Sequence, residues 1–263
     1  EQLISQTHLY ATSDAVKELL AFVSRLRSFA PFNAMLLHIQ KPGLTHAATA
    51  RDWRDQFRRR PKRHARPLVV LRPKGPVDFV FDVLDTEGEA LPASAFCFPV
   101  LGDLDAEKLE QILTHLIRKA ISTDRIDVGD RHAGSICGTS PPPGSSYDRA
   151  YHVQLNGNHS PAQQFVTLSH ELAHLFLGHL GADRQRRIPD RTGRPHELRE
   201  VEAETVAYVV ARRNGMTPRS ESYLQTFKGS FAVLNFHAVM RAANQVETAI
   251  GVPASFFQSD LRR

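Results

Sequence analysis

Two histidines with a glutamate beside the first form the stretch of this chain best suited to metal chemistry. In a helix, His170 and His174 are four residues apart and lie on one face, so both imidazoles can bind one cation. The carboxylate of Glu171 then lies where it can take a proton from a water molecule at that cation. The pattern H-E-x-x-H therefore predicts a metal site that activates water for hydrolysis, a chemistry used most often by peptidases.

The residues around this pattern predict a helix with a defined start and end. Ser160 followed by Pro161 and Gln163 is typical of a capped helix start, and Gly178 is typical of a helix end. Apolar residues recur at the spacing of one buried stripe, at Phe165, Leu168, Leu172, Leu175 and Phe176. The histidine pair therefore belongs to an amphipathic helix, which favours a metal site over two isolated surface histidines.

A second helix, predicted over residues 197–213, can supply the third metal ligand and leave one coordination position open. It carries three candidate carboxylates: Glu200, Glu202 and Glu204. Glu202 lies in line with Val206 and Val209, so it borders the buried stripe of that helix. We expect Glu202 to be the third ligand, with Glu204 as the second choice and Glu200 as the third.

His179 suggests a different ligand set, because three histidines could bind a metal without a glutamate. It follows His174 by five residues, whereas the three-histidine pattern of metzincins has its last histidine six residues on. We therefore expect His179 to end the helix or to support a ligand, and His179 and Tyr208 are candidates for stabilising an oxyanion. The alternating residues 151–155 predict a nearby half-buried strand, which either pairs with extended substrate or is purely structural.

The net charge of +5 is concentrated in one segment, which alone carries +6. Between residues 51 and 66, eight basic residues outweigh Asp52 and Asp55: Arg51, Arg54, Arg58, Arg59, Arg60, Lys62, Arg63 and Arg66. A dense basic stretch is typical of proteins that bind nucleic-acid phosphates, and Trp53 and Phe57 could stack on unpaired bases. The alternative is a solvated basic loop with Trp53 packed in the core, and the sequence favours neither.

The 263 residues have the composition of a globular protein with one large domain or two smaller ones. No run approaches the roughly 20 apolar residues of a membrane span, and no secretion signal opens the chain. Cys97 and Cys137 are too few for a disulfide framework. These features predict a protein of the cytoplasm with no membrane partner.

Hydrophobic periodicity predicts an α+β fold in two domains. Helices are expected over residues 14–29, from Pro31 to about residue 42, and over residues 104–121; strands are expected over residues 68–71 and 77–84. Residues 123–146 are rich in glycine, proline and serine, which predicts a linker. The expected domains are therefore 1–122, basic and α+β, and 147–263, with the metal site. Within the latter, residues 183–199 are expected to form a mobile connection.

Two stretches resemble a known peptidase family. The core H-E-L-A-H-L-F-L-G-H, which ends at His179, and the sequence E-V-E-A-E-T-V-A-Y-V-V from Glu200 resemble the ImmA/IrrE-type metallopeptidases. In that family the glutamate directly before the alanine of the second motif is the expected third ligand, which corresponds to Glu202. The resemblance implies a zincin-like domain of the gluzincin type, with the active-site helix packed on a small sheet.

The N-terminal residues resemble the ArdC-type single-stranded-DNA-binding domain of antirestriction proteins. The resembling stretches are residues 33–42, 50–53, 66–71 and 79–88. A glycine-bearing basic turn that is usual in such domains is replaced here by R-R-P-K-R-H at residues 59–64. The resemblance implies that this domain binds single-stranded DNA, and the expected contact residues are Arg51, Trp53, Arg54, Arg58, Arg59, Arg60, Lys62 and Arg63.

Together these features predict a regulatory endopeptidase that cleaves a DNA-associated protein such as a repressor, as in transcription regulation or a stress response. The expected metal ligands are His170, His174 and Glu202, and Glu171 is the expected general base. The expected cofactor is Zn²⁺, with Mn²⁺ or another divalent metal as the alternative. A second hypothesis is an antirestriction-type DNA-binding protein whose metal site is structural or weakly active, and a third is a general housekeeping peptidase.

Overall fold

A computed structural model describes residues 13–72, 75–91, 104–129, 132–216 and 233–251. These residues divide into two compact units: one within residues 18–99 (the N-terminal unit), and one within residues 100–253 to which residues 13–17 also belong (the C-terminal unit). Both units combine helices with small sheets, which confirms the predicted α+β class. Every helix in the described ranges is too short or too polar to cross a lipid bilayer.

Residues 13–88 contain three helices, a 3₁₀ turn and five short strands among those that the structure describes. In chain order they are α1 (Ser13–Arg25), α2 (Pro31–Gln40), β1 (Ala47–Thr49), α3 (Ala50–Phe57), β2 (Arg59–Pro61), β3 (Leu68–Arg72), β4 (Gly75–Asp82), the 3₁₀ turn (Val83–Asp85) and β5 (Thr86–Gly88). Strands β1, β4 and β3 form an antiparallel sheet in that order, and β2 pairs with β5. The predicted helices at the start of the chain and the two predicted strands are confirmed, although α1 ends earlier than expected.

Helix α2 covers the outer edge of β3 with two side-chain amides. Asn33 accepts a hydrogen bond from the backbone N–H of Leu71 (2.9 Å) and donates one to its carbonyl (3.0 Å). Gln40 makes the same two bonds with Val69, at 2.8 and 2.9 Å. Because the amides take the place of a neighbouring strand, this edge of the sheet has satisfied backbone groups.

The C-terminal unit surrounds a three-stranded sheet with helices. Its elements are α4 (Ala106–Ile117), β6 (Ile121–Ile126), β7 (Gly134–Thr139), β8 (Ala150–Asn156), α5 (Pro161–Leu177), α6 (His196–Arg213) and α7 (Phe236–Ala249). The strand order is β6-β8-β7, with β6 parallel and β7 antiparallel to β8. The predicted linker over residues 123–146 is therefore wrong over much of its length, because it contains most of β6 and all of β7. The division between the two units lies instead near residue 100.

The position of β8 decides between the two roles that were predicted for residues 151–155. Both edges of β8 are occupied, one by β6 and the other by β7, so no edge is left to pair with an extended substrate. The structural role is confirmed. Strand β7 pairs only with β8 among the described residues, so β7 is the edge of this sheet that lies against α5.

Helix α5 begins and ends where the sequence predicts. The Ser160 hydroxyl accepts from the N–H of Gln163, and the Gln163 side chain accepts from the N–H of Ser160, so the predicted capping box is present. Gly178 ends the helix in the left-handed region with φ of +83°. A Cβ at this position would be 1.9 Å from the carbonyl oxygen of Pro189, so only glycine lets the returning chain pass.

The connection between α5 and α6 is anchored, contrary to the expectation that residues 183–199 are mobile. The carboxylate of Asp183 is 3% exposed and accepts from the Arg186 guanidinium (2.6 Å) and the Tyr151 hydroxyl (3.0 Å). Arg186 also donates to the carbonyls of Arg149 and Lys119. The prediction of mobility was based on the many arginines of this segment, but one of them, Arg186, attaches the segment to residues next to the sheet.

Candidate metal centre

Helix α5 presents His170 and His174 one turn apart, with their imidazoles in contact. Their Nε2 atoms are 3.1 Å apart, and their side chains are 21% and 14% exposed. The predicted buried stripe of α5 packs on the opposite side, since Phe165, Leu168 and Leu172 are fully buried. Both histidines can therefore direct a ring nitrogen at one point on the accessible side of the helix.

Helix α6 brings a carboxylate to the same point. Glu200 Oε2 is 3.5 Å from His170 Nε2, and Glu200 Oε1 is 3.6 Å from His174 Nε2. One ligand atom from each of these three residues lies within 4.8 Å of the others. The arrangement is a two-histidine, one-carboxylate cluster with an exposed side.

Glu202 is not part of this cluster, so its assignment as the third ligand is corrected to Glu200. Its carboxylate is fully buried between His179 Nε2 (3.2 Å) and the guanidinium of Arg191. Residues two apart on a helix point about 200° apart. Glu200 and Glu204 thus face the histidines of α5, whereas Glu202 faces away, and the buried stripe of α6 is a different face from the one that meets the metal site.

Hydrogen bonds at the Nδ1 atoms orient both imidazoles. Glu204 Oε2 is 3.1 Å from His170 Nδ1, and an ionised carboxylate can only accept, so this nitrogen carries the proton. In the neutral imidazole, His170 Nε2 is then left with a lone pair directed at the cluster. The Nδ1 atom of His174 is 3.0 Å from Nδ1 of His179, so the second imidazole is also held from behind.

The electrostatics of the cluster favour a bound cation. Burial opposes protonation of His170, but the carboxylates of Glu200 and Glu204 outweigh it and raise its pKa to about 10. Hydrogen bonds from His170 and His174 hold the pKa of Glu200 well below its usual range. A proton on His170 therefore compensates the local negative charge, which is the task that a metal ion would also perform.

The geometry and the donor types fit a divalent metal. Two nitrogens at about 2.0–2.1 Å from one tetrahedral ion are roughly 3.3 Å apart, close to the 3.1 Å between the two Nε2 atoms. Two imidazoles and a carboxylate are the ligands that Zn²⁺ takes in open catalytic sites. The side chains that would hold the ion are therefore His170, His174 and Glu200.

Glu171 lies beside the cluster in a partly buried position. Burial raises the pKa of its carboxyl, against the opposing charges of His170, His174 and His132. His132 lies two residues before β7, so the start of this edge strand lies near the glutamate. The sequence reasoning did not consider His132, because nothing in its spacing connects it with the H-E-x-x-H pattern.

One of the two candidates for an oxyanion donor is excluded by its burial. His179 is 3% exposed and bonded on both ring nitrogens, so it cannot reach a substrate. Tyr208 lies one turn beyond Glu204 on α6 and is half-buried. His196, which the sequence reasoning missed, is 75% exposed and has its Nδ1 atom 3.5 Å from Glu200. Its only sequence signal was its position one helical turn before Glu200.

Residues 138–211 match the family model described as the IrrE N-terminal-like domain, a peptidase family. This segment runs from the end of β7 through β8 and α5 into α6, and it contains all three members of the cluster and Glu171. This segment of the chain is therefore similar to the IrrE-type peptidase domain. The resemblance inferred from its two motifs is thereby confirmed. No curated protein matches the chain at a significant level.

Two similar solved structures are of the antirestriction protein ArdC from the R388 plasmid. The metal-free structure is 16% identical, with a TM-score of 0.38, over 84% of this chain and 82% of that one. The Mn(II)-bound structure is 20% identical, with a TM-score of 0.37, over 86% of this chain and 85% of that one. Similarity at this distance does not assign a ligand or an activity to the IrrE-like domain.

The basic segment of the N-terminal unit has its tryptophan in the core. Trp53 is fully buried, its indole N–H donates to the carbonyl of Phe81 (2.8 Å), and Phe57 packs against its ring. Trp53 therefore cannot stack on a base, and the alternative that it belongs to the core is correct. Trp53 is the buried anchor of the eight-residue helix α3, in which five of the other side chains are polar or charged.

The basic side chains around it differ in their surroundings. Four arginines pair with nearby carboxylates: Arg51 and Arg54 with Asp55, Arg58 with Glu89, and Arg60 with Glu87. Arg59 and Lys62 bind the carbonyls of Thr86 and Leu84, and so hold β2 in place. Arg63 and Arg66 are exposed and pair with none of the described residues. Glu87 and Glu89 thus offset part of the charge that the sequence alone attributes to this segment.

Proposed function

We propose that the IrrE-like domain is a divalent-metal-dependent peptide hydrolase. The observation that carries the proposal is the cluster of His170, His174 and Glu200, with ligand atoms within 4.8 Å of one another and Glu171 beside it. The peptidase family of residues 138–211 supports the same reaction class. Zn²⁺ is the proposed ion, and Mn²⁺ or another divalent metal is the alternative.

When bound, the cation supplies Lewis acidity, which lowers the pKa of water to roughly 7 and polarises the scissile carbonyl. Glu171 accepts the proton of the attacking water and passes it to the leaving amine. Its raised pKa suits both tasks, because a more basic carboxylate takes the proton more readily. Tyr208 and His196 are the proposed donors to the oxyanion.

We propose that the substrate binds in an extended conformation along β7. This strand is the edge of the sheet next to α5, and it begins after His132, near Glu171. The unpaired backbone groups of an edge strand can add a peptide as a further strand. Pairing with β7 would fix the direction of the peptide, so its scissile bond would lie at the cluster in one orientation.

The decisive experiment compares the wild-type protein with Glu171→Gln. The variant keeps the size of the side chain but cannot accept a proton, so peptide cleavage should fall by at least about a hundredfold. Metal content, measured on the purified protein by mass spectrometry, should be unchanged. Cleavage at the wild-type rate would disprove the role of Glu171, and loss of metal would leave it a structural residue.

We further propose that the N-terminal unit binds single-stranded DNA and brings the peptidase to a DNA-associated protein, such as a repressor. The support is the set of exposed arginines, of which Arg58 and Arg60 are 78% and 80% exposed. The same exposed charges favour a second candidate, an antirestriction-type DNA-binding protein with a structural or weakly active metal site. The Glu171→Gln variant separates the two, because only the second candidate keeps its biological effect when cleavage is lost.

A further inference from the structure

A buried chain of hydrogen bonds lies behind His174. His174 Nδ1 is 3.0 Å from His179 Nδ1, and His179 Nε2 is 3.2 Å from Glu202 Oε2. The other oxygen of Glu202 accepts from the guanidinium of Arg191. The side chains of His179 and Glu202 are 1% and 0% exposed, so no solvent molecule competes for these bonds.

In each of these hydrogen bonds, only one of the two groups can be the donor. Arg191 donates to Glu202, and an ionised carboxylate is an acceptor only, so the Nε2 atom of His179 must donate. A neutral His179 with its proton on Nε2 has a lone pair on Nδ1, so His174 must donate from its own Nδ1. The Nε2 atom of His174 is then left with the lone pair that a metal ligand requires.

Three separate parts of the chain build this arrangement. His179 follows the end of α5, and its backbone N–H bonds to the carbonyl of His174. Arg191 is held by the bond from its N–H to the carbonyl of Gly178. Glu202 comes from the buried face of α6. Burying a glutamate costs desolvation free energy even when it has cationic or polar partners. The end of a helix does not require such a residue.

We propose that His179, Glu202 and Arg191 are positioning residues that fix the tautomer and orientation of His174 and thereby set the metal affinity of the cluster. The proposal rests on the proposed metal site. It gives Glu202 a role that differs from the ligand role expected from sequence. It also explains why an ionised carboxylate lies outside the cluster, paired with Arg191, since its acceptor character defines the direction of every bond toward His174.

The test measures the affinity of the full chain for Zn²⁺ by competition with a chromophoric chelator. His179→Leu removes both bonds and should weaken binding by about 10- to 100-fold. His179→Gln is the conservative variant, because its amide oxygen can accept from His174 while its NH₂ donates to Glu202, and it should stay within a few-fold of wild type. Ile188→Val is the matched control: it removes a buried methyl group near the same helix end and should leave the affinity unchanged.

Glu202→Gln provides a second and independent test. Arg191 keeps the amide oxygen, so the NH₂ group faces His179 Nε2 and two donors meet. To relieve this clash, His179 changes tautomer and carries its proton on Nδ1. That proton then faces the proton on Nδ1 of His174. The affinity for Zn²⁺ should therefore fall as far as in His179→Leu, although the variant is isosteric and keeps a hydrogen-bonding group.

A spectroscopic measurement distinguishes positioning from a general loss of stability. In the Co²⁺-loaded protein, the Nδ1 proton of each coordinating histidine gives a hyperfine-shifted NMR signal that disappears on exchange with deuterium. The His174 signal should exchange slowly in wild type and rapidly in His179→Leu, while the His170 signal is unaffected. Equal exchange in both proteins, or equal Zn²⁺ affinity, would overturn the proposal. Failure of the wild-type chain to bind Zn²⁺ would instead overturn the metal site itself.

Discussion

At the scale of single residues, the cluster of His170, His174 and Glu200 lies in an excess of negative charge. Three carboxylates, Glu171, Glu200 and Glu204, act on the His170 imidazole and raise its pKa despite burial. The roles of these groups differ because their geometry differs. Glu200 faces the Nε2 atoms of both histidines, whereas Glu204 reaches only the Nδ1 atom of His170 on the far side of the ring.

This difference predicts unequal effects of two alanine substitutions. Glu200→Ala removes a ligand and should reduce Zn²⁺ affinity by more than a thousandfold, a loss of roughly 4 kcal/mol or more. Glu204→Ala removes only the partner of His170 Nδ1 and should cost about 10- to 100-fold. Chelator competition on the two variants measures both effects. The reverse order would show that Glu204, the second choice from sequence, is the ligand.

The residue types of the site could be predicted from sequence, but the choice among three glutamates could not. The H-E-x-x-H spacing identifies His170 and His174 because four residues in a helix return to the same face. Glu202 was predicted to border the buried stripe from its line with Val206 and Val209, and it is fully buried. The error came from taking burial as proximity to the metal, since which side of α6 meets α5 depends on tertiary packing.

At the scale of elements, the end of α5 controls the path of the chain behind the metal cluster. Gly178 has φ of +83° and packs against the carbonyl of Pro189, so the segment after the helix returns directly under its last turn. The backbone contacts of His179 and Arg191 depend on this return. The glycine is therefore a structural requirement of the site, although it is not near the reacting atoms.

Gly178→Ala should be strongly destabilising. The left-handed conformation alone costs a residue with a Cβ about 1–2 kcal/mol, and the overlap with Pro189 forces the backbone apart in addition. We expect the free energy of unfolding in urea to drop by more than about 2 kcal/mol. Gly193→Ala is the control, because nothing lies within 4 Å of a Cβ there. Equal effects of the two substitutions would contradict the steric explanation.

The loop between α5 and α6 should give the protein a pH-dependent stability. Burial opposes ionisation of Asp183, but the bonds from Arg186 and Tyr151 outweigh it and lower the pKa of Asp183. A lowered folded-state pKa contributes stability above the ordinary carboxyl pKa, and this contribution is lost as the pH falls through the folded-state value.

Asp183→Asn tests this linkage. It should lower the free energy of unfolding by about 3 kcal/mol at pH 6, because it leaves Arg186 without its buried counter-charge. The gap between wild type and variant should narrow as the pH falls from 6 to 3, since Asp183 of the unfolded wild-type chain takes up a proton more readily than Asp183 of the folded protein. Urea unfolding at several pH values measures the gap. A gap that stays constant over this range would exclude the carboxylate as its source.

Elements with strong hydrophobic periodicity were predictable, and elements defined by pairing were not. Helix α5 and strand β8 have buried stripes and clear boundary signals, so both were located from sequence. Strands β6 and β7 lie on the outside of the sheet, and their side chains are mostly exposed or half-buried. Their backbone bonds to β8 define them, and hydrogen bonding between distant residues leaves no local sequence pattern.

At the scale of the whole molecule, one unit contains the residues that match the IrrE-type family model, and the other carries the basic segment. The basic segment is not a uniform cationic surface, because four of its arginines pair with carboxylates and two other cations hold β2. Exposed ion pairs are weak, so these arginines can exchange a carboxylate for a phosphate at little cost. Arg63 and Arg66 have no such partner to give up among the described residues and are the strongest candidates for phosphate contacts.

This distinction predicts how single-stranded DNA binding responds to charge removal. The double variant Arg63→Gln/Arg66→Gln should weaken binding and make the salt dependence shallower by about 0.7 per lost contact, because each contact releases counterions from the strand. Arg118→Gln/Arg184→Gln changes the net charge equally but in the C-terminal unit, and should leave the slope unchanged. Fluorescence anisotropy of a labelled oligonucleotide at several salt concentrations gives both slopes. If the two double variants behave alike, binding follows net charge alone, and the basic segment is not the DNA-binding surface.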